Sequence, residues 1–181
     1  MQNFFKISKK IVLLGDPAVG KTSMVRKFVY NEFDDKYIST LGTKISKKTI
    51  AYPQFMNKMD IDLTFIIWDV MGQNEYKIFH ESACDGSRGA IIVSDLTRKT
   101  TILNWSFWKS SLFNTVGMVP IILIGNKNDL FKGHDEELSI MKGISKKFSL
   151  PLFLTSAKTG ENVEQVFYKL GEEILKTEFN R

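Results

Sequence analysis

The chain has 181 residues, a formal charge of +5 and 43% hydrophobic residues, a balance that suits one soluble globular domain, residues 1–181, with a full core. Its apolar runs all fall short of the roughly 18–20 residues that cross a bilayer, and its single cysteine, Cys84, excludes a disulfide framework and a cysteine-based zinc site and fits a reducing compartment. The positive charge is spread over lysines, with pairs at Lys9-Lys10, Lys47-Lys48 and Lys146-Lys147; without interleaved aromatics these read as a solvated face, and no nucleic-acid partner is expected.

At the start, Gln2 stands where N-myristoylation needs glycine. Phe4 and Phe5 beside Lys6 read as the beginning of a first strand, and the following run "IVLLG" leads into a glycine loop and not a signal-peptide cleavage site. After a helix, "KISKKTIAYPQFMNKMDIDLTFIIWD" reads as two neighbouring strands joined by a turn around Pro53 to Lys58. That leaves no room for a crossover helix, so the pair is antiparallel. "GAIIVSD", "VPIILIGN" and "LPLFLTS" are short continuous apolar runs, the pattern of parallel strands covered on both faces. Between them, Thr100 to Val116 reads as one helix with Trp105, Trp108 and Leu112 packed in the core. The last helix carries Val163, Val166, Phe167, Leu170 and Ile174 at helical spacing behind a capping box of Asn162 and Gln165. The expected architecture is α/β, with helices on both faces of a mostly parallel sheet. His80 and His134 lack ligand partners at metal spacing, and the terminal "KTEFNR" offers no prenylatable cysteine. The expectation is a cytoplasmic protein, peripheral to membranes at most and without a lipid anchor.

Three loops carry chemistry. "GDPAVGKTS" fits G-x-x-x-x-G-K-[ST] between a strand and a helix. Its glycines let successive N–H groups wrap a phosphate at the positive end of the helix, Lys21 supplies a point charge, and Thr22 offers a hydroxyl to Mg²⁺. Pro17 has no N–H, so the donors must be the amides of Ala18 to Thr22. "GNKNDL" leaves another strand end with Asp129. Such a carboxylate can accept from the N1–H and N2 amino edge of guanine, whereas adenine would leave it facing a lone pair. Lys127 would lay its alkyl stem along the base, and in "TSAKTG" the N–H of Ala157 could meet the guanine O6. All these loops lie beyond the carboxyl ends of strands, where ligands of open α/β sheets bind. "WDVMGQNEY" ends a strand in an acid, a glycine and an amide, and belongs to the same edge.

The order GDPAVGKT, YISTLG, WDVMGQ, NKND, TSAK resembles the Ras superfamily of small GTPases from Lys10 to about Lys176. "YISTLG", "IVLLGDPAVGKTS" and "LTSAKTGENVEQVF" look most like Rab members. Thr43-Lys44-Ile45 replaces the usual Val-Asp-Phe, "SACDGSRGA" lacks an aromatic pair, Met71 replaces a small residue, and the hairpin is longer. These departures mark a divergent Rab-like relative, with a prokaryotic origin open.

The resemblance implies a P-loop G domain with a six-stranded sheet, one strand antiparallel, that binds GTP or GDP with Mg²⁺. Gly15, Asp16, Ala18, Val19, Gly20, Lys21, Thr22 and Ser23 would hold the phosphates. Thr22 and Thr40 would bind Mg²⁺, and Asp69 would do so through water. Tyr37 would close over the phosphates, Phe33 would pack edge-on to guanine, and Gly72 would donate its N–H to the γ-phosphate. Asn126, Lys127, Asp129, Ser156, Ala157 and Lys158 would form the base pocket. Gln73 would orient the attacking water, with Lys21 and Thr40 completing the catalytic set.

Switch I (about 33–43) and switch II (about 69–84) would report nucleotide state to effectors. Switch I holds no arginine, so slow intrinsic hydrolysis, about 10⁻⁴ per second in the Ras type, and dependence on an activating protein are expected, with an exchange factor for GDP release. A monomer is expected. Two rivals are a metabolite kinase, disfavoured by few arginines, and a nucleotide-binding scaffold with little hydrolysis, kept open by Pro17 and Met71.

Overall fold

The computed structural model describes residues 3–34, 42–56, 59–70, 77–132 and 135–179. The chain alternates strands and helices as β1 (Asn3–Leu14), α1 (Lys21–Tyr30), β2 (Thr43–Phe55), β3 (Met59–Val70), α2 (Lys77–Cys84), β4 (Gly89–Asp95), α3 (Lys99–Leu103), α4 (Trp105–Val116), β5 (Ile121–Asn126), α5 (Asp135–Phe148), β6 (Leu152–Leu154) and α6 (Val163–Phe179). The six strands form one sheet in the order β2-β3-β1-β4-β5-β6. Only β2 runs antiparallel, against β3, as the missing crossover helix requires.

Each sheet face carries its own core. Ile11, Leu13, Leu63, Phe65, Ile67, Ile91, Val93, Ile122 and Ile124 face α1 and α6; Val12, Leu14, Ala90, Ile92, Ile121 and Leu123 face α4 and its neighbours. The odd–even split is the side-chain alternation of strands, and burial on both faces explains why these segments read as unbroken apolar runs. Phe28 of α1 stacks on Phe167 of α6 with ring centroids 3.8 Å apart, joining the two helices. Gly171 lets the Tyr52 hydroxyl reach the Tyr168 carbonyl at 2.7 Å, since a Cβ there would collide with that ring and with Leu63.

β1 starts at Asn3, in line with the reading of Phe4 and Phe5 as the beginning of the first strand, and Asn3 to Lys10 continue the ladder with Met59 to Ile66. Other details depart from the sequence reading. β2 runs through Pro53, and the register shifts between Tyr52 and Phe55, where a proline can sit on an edge strand. The helix expected over Thr100 to Val116 is two helices that part at Asn104; its side chain leaves the helix surface for the phosphate loop. Asn162, read as half of a capping box, has a left-handed φ of 56° and donates its amide to the Leu154 carbonyl at 2.8 Å. The lysine pairs are not uniformly solvated either. Lys10 lies 3.7 Å from the Trp68 ring centroid, Lys48 donates to the Phe28 carbonyl, and Lys9 pairs with Glu178.

Candidate nucleotide site

The carboxyl ends of β1, β3, β4, β5 and β6 meet along one edge. After β1, Gly15 (φ 138°), Ala18 (φ 60°) and Gly20 (φ 100°) turn the chain back on itself. Gly15 backs onto the Val93 carbonyl and Gly20 onto the Asn126 amide, where a Cβ would collide in both cases. Gly20 is the N-cap of α1 in left-handed conformation without a side-chain cap, and the helix has no acid in its first turn. Its positive end is therefore not neutralised from within.

Lys21 is only 7% exposed and bends back over this loop, its Nζ donating to the Gly15 carbonyl at 2.7 Å and the Asp16 carbonyl at 2.9 Å. Burial pulls its pKa down to about 8, against the opposing pull of Asp69 and Asp16. An ammonium kept dry beside carbonyls gains most from an anion. Thr22 donates to Oδ2 of Asp69 at 2.5 Å. Asp69 is 1% exposed, and among the described residues its Oδ1 has no hydrogen-bond partner. Burial raises its pKa, against the Thr22 hydrogen bond and the charges of Lys21 and Lys44. A buried carboxylate with one unanswered oxygen beside a threonine hydroxyl fits a hydrated divalent cation, so these residues suit Mg²⁺. Ser23 is half-buried in the first turn of α1, and Val19 is fully buried under the loop.

The base side is tied to the phosphate side by one carboxamide. Asn126, 1% exposed at the end of β5, donates Nδ2 to the Val19 carbonyl at 2.9 Å. Its Oδ1 accepts from the Ala157 N–H at 3.1 Å and the Thr155 hydroxyl at 3.2 Å. Three loops sequence reasoning treated separately are thereby held in one frame. Ser156 donates to Oδ1 of Asp129 at 2.6 Å, which orients that carboxylate. Lys127 takes a left-handed φ of 66° and pairs with Asp95 at 2.7 Å. Lys158 is exposed, and Phe33 lies at the rim with 37% exposure. Tyr37, Thr40, Met71, Gly72 and Gln73 lie outside the described residues, as does His134.

Asp95, Arg98 and Asn104 were not singled out by the sequence, and Trp108 was read only as core. Asp95, at the end of β4, accepts from the Thr97 N–H and hydroxyl, from Arg98 and from Lys127. Burial pushes its carboxyl up, but the Lys127 and Thr97 donors outweigh burial and hold it below the usual range. Asn104 and Trp108 clamp the Asp16 carboxylate, each at 2.8 Å and on a different oxygen. Trp108 is thus core and anchor at once. An acid closing the buried run "GAIIVSD" was the available signal for Asp95, the same one that marked Asp69.

Residues 10–176 match the Ras family. The chain belongs to the Ras family. Among curated relatives it is 32% identical to the Ras-related protein Rab-27B of Bos taurus, over 92% of this chain and 79% of the relative. It is likewise 32% identical to the Ras-related protein RABD1 of Arabidopsis thaliana, over 97% and 83%, and 33% identical to the GTP-binding protein YPT53 of Saccharomyces cerevisiae, over 94% and 78%. This is a Rab-like small GTPase of the Ras superfamily, and its six-stranded sheet with one antiparallel strand is the P-loop G-domain fold.

Proposed function

We propose that residues 1–181 act as one G domain that binds GTP and GDP with Mg²⁺, slowly hydrolyses GTP to GDP and phosphate, and signals its nucleotide state through switch I and switch II. The observation that carries this reading is the Asn126 bridge between the phosphate loop and the Ala157 amide. It sets an anion cradle and a guanine-reading carboxylate into a single site. When bound, Mg²⁺ would neutralise phosphate charge as a Lewis acid, with Thr22 and Asp69 on its protein side.

The chain's own residues then have distinct tasks. The amides of Ala18 to Thr22, at the positive end of α1, bind phosphate oxygens. Lys21 keeps two donors on the loop carbonyls, which aims the ammonium into the cradle. Thr22 and Asp69 hold the metal side, Asp69 through water. Asp129, steadied by Ser156, selects guanine, because adenine would leave its carboxylate unpaired. Gln73 orients the attacking water, and Thr40 and Gly72 sense the γ-phosphate. Loss of that phosphate releases both switches.

Effectors would meet the switches and the strands between them. Ile45, 52% exposed on β2, sits directly opposite Trp68 of β3, and such an apolar pair beside both switches suits a protein partner. An activating protein and an exchange factor complete the cycle. Among the described residues no helix is long and apolar enough to cross a membrane, and we propose a cytoplasmic monomer with at most peripheral membrane contact.

The test is to denature the purified protein, identify the released nucleotide by chromatography, and then follow turnover with Mg²⁺. Guanine nucleotide and slow turnover are expected. Comparable affinity for ATP would sink the guanine reading. Bound GTP that never turns over, with Gln73→Leu behaving like the wild type, would leave a scaffold instead.

A further inference from the structure

Arg98 occupies the turn between β4 and α3, and its guanidinium makes two contacts in different directions. Nε donates to Oδ2 of Asp95 at 3.0 Å, while Nη2 reaches across 81 residues of sequence to the Pro17 carbonyl at 2.7 Å. The first contact alone would be a local ion pair of small consequence. The second falls on the phosphate loop, and Asp95 is no ordinary surface partner. It is 1% exposed, and the same Oδ2 also takes Lys127 of the base loop at 2.7 Å.

The peptide plane gives this contact its meaning. No peptide bond in the described chain is cis, so the carbonyl of Pro17 and the N–H of Ala18 point in opposite directions within one plane. Pro17 contributes no N–H of its own, and Ala18 sits at φ 60°, a conformation that L residues adopt only when their surroundings impose it. A donor that holds the Pro17 carbonyl outward therefore turns the Ala18 N–H inward, toward the concave side of the loop. The fork of an arginine can hold Asp95 and Pro17 together; a lysine is a single charged point.

We propose that Arg98 is a positioning residue of the nucleotide site. It fixes the Pro17–Ala18 peptide so that the Ala18 amide meets the phosphates, and through Asp95 it locks the phosphate loop to Lys127 of the base loop. This rests on the reading of the site as a guanine-nucleotide site, and its consequence is slower release of GDP.

The experiment loads the full chain with fluorescent GDP and Mg²⁺ and measures release after dilution into excess GDP, for the wild type, Arg98→Ala and Arg98→Lys. Loss of a charged donor on the exposed Pro17 carbonyl should speed release about tenfold in Arg98→Ala. Arg98→Lys, which keeps the charge and loses the fork, should release nearly as fast. In GDP-loaded, ¹⁵N-labelled protein the Ala18 amide resonance should shift in both variants while the unfolding midpoint stays within about two degrees. Release at the wild-type rate in Arg98→Ala overturns the proposal. So does full rescue by Arg98→Lys, which would reduce the effect to charge, and so does faster release with an unmoved Ala18 amide. A wild type that holds no GDP at all overturns the nucleotide reading itself, and is told apart by that first measurement.

Discussion

Trp105 and Trp108 offer a matched comparison, because they lie on the same helix, α4, and are buried to the same degree, 0% and 1% exposed. Trp108 donates its indole N–H to Oδ1 of Asp16 at 2.8 Å. Among the described residues the Trp105 indole nitrogen is buried without a partner. Replacing either by phenylalanine removes the same atoms, so the transfer and cavity terms are similar and largely cancel in the difference. What remains is the polar term. Trp108→Phe removes a hydrogen bond to a carboxylate, worth about 1.5–3 kcal/mol, whereas Trp105→Phe removes a donor that was desolvated for nothing. Trp108→Phe should therefore be the more destabilising by about 2–4 kcal/mol. In a chain of this size that separates the two unfolding midpoints by roughly 4–15 °C. Denaturant unfolding at unchanged m-value measures the difference directly, and a double-mutant cycle of Trp108→Phe with Asp16→Ala isolates the bond. Equal losses, or a larger loss at Trp105, would refute the assignment of Trp108 as the anchor of the phosphate loop.

Other consequences follow from the same geometry. Gly171→Ala should cost about 1–3 kcal/mol by overpacking against Tyr52 and Leu63; a fully stable variant by denaturant titration would contradict that contact. The Lys21 pKa of about 8 implies that the free protein loses its ammonium as pH rises through that value, while a bound phosphate favours the charged form. GDP affinity should thus fall above about pH 8, with proton uptake on binding, measured by calorimetry in buffers of different ionisation enthalpy; proton release on binding would reverse the sign and defeat the reasoning. Asp69→Asn removes the charge beside Thr22 and should make GDP release nearly insensitive to chelation of Mg²⁺, and a chelator response like the wild type's would remove Asp69 from the metal side.

What the sequence disclosed and what it withheld divide along a physical line. Strands covered on both faces leave unbroken apolar runs, so β4 and β5 were readable at nearly their observed bounds, whereas the first eight residues of β1 mix three lysines with apolar residues, only Phe4 and Phe5 marking the start, and extend along β3 of the hairpin beside them. Residues proposed to face a ligand, such as Lys21, Thr22 and Asp129, were readable because ligand chemistry restricts them to a few types at fixed spacing. The residues that hold those in place face the protein, and many side chains can donate to a carbonyl or a carboxylate. Nothing in "LTRKTTILNWSFW" says that Arg98 reaches Pro17 or that Asn104 and Trp108 reach Asp16, because each contact joins segments more than 80 residues apart in sequence. Those second partners are also where a divergent member can change its rates without changing its motifs. Pro17 keeps the loop legible as a phosphate cradle, yet it removes one donor and hands its carbonyl to Arg98. On the proposal for Arg98, the speed at which this version releases nucleotide would be set partly outside the motifs that identify it.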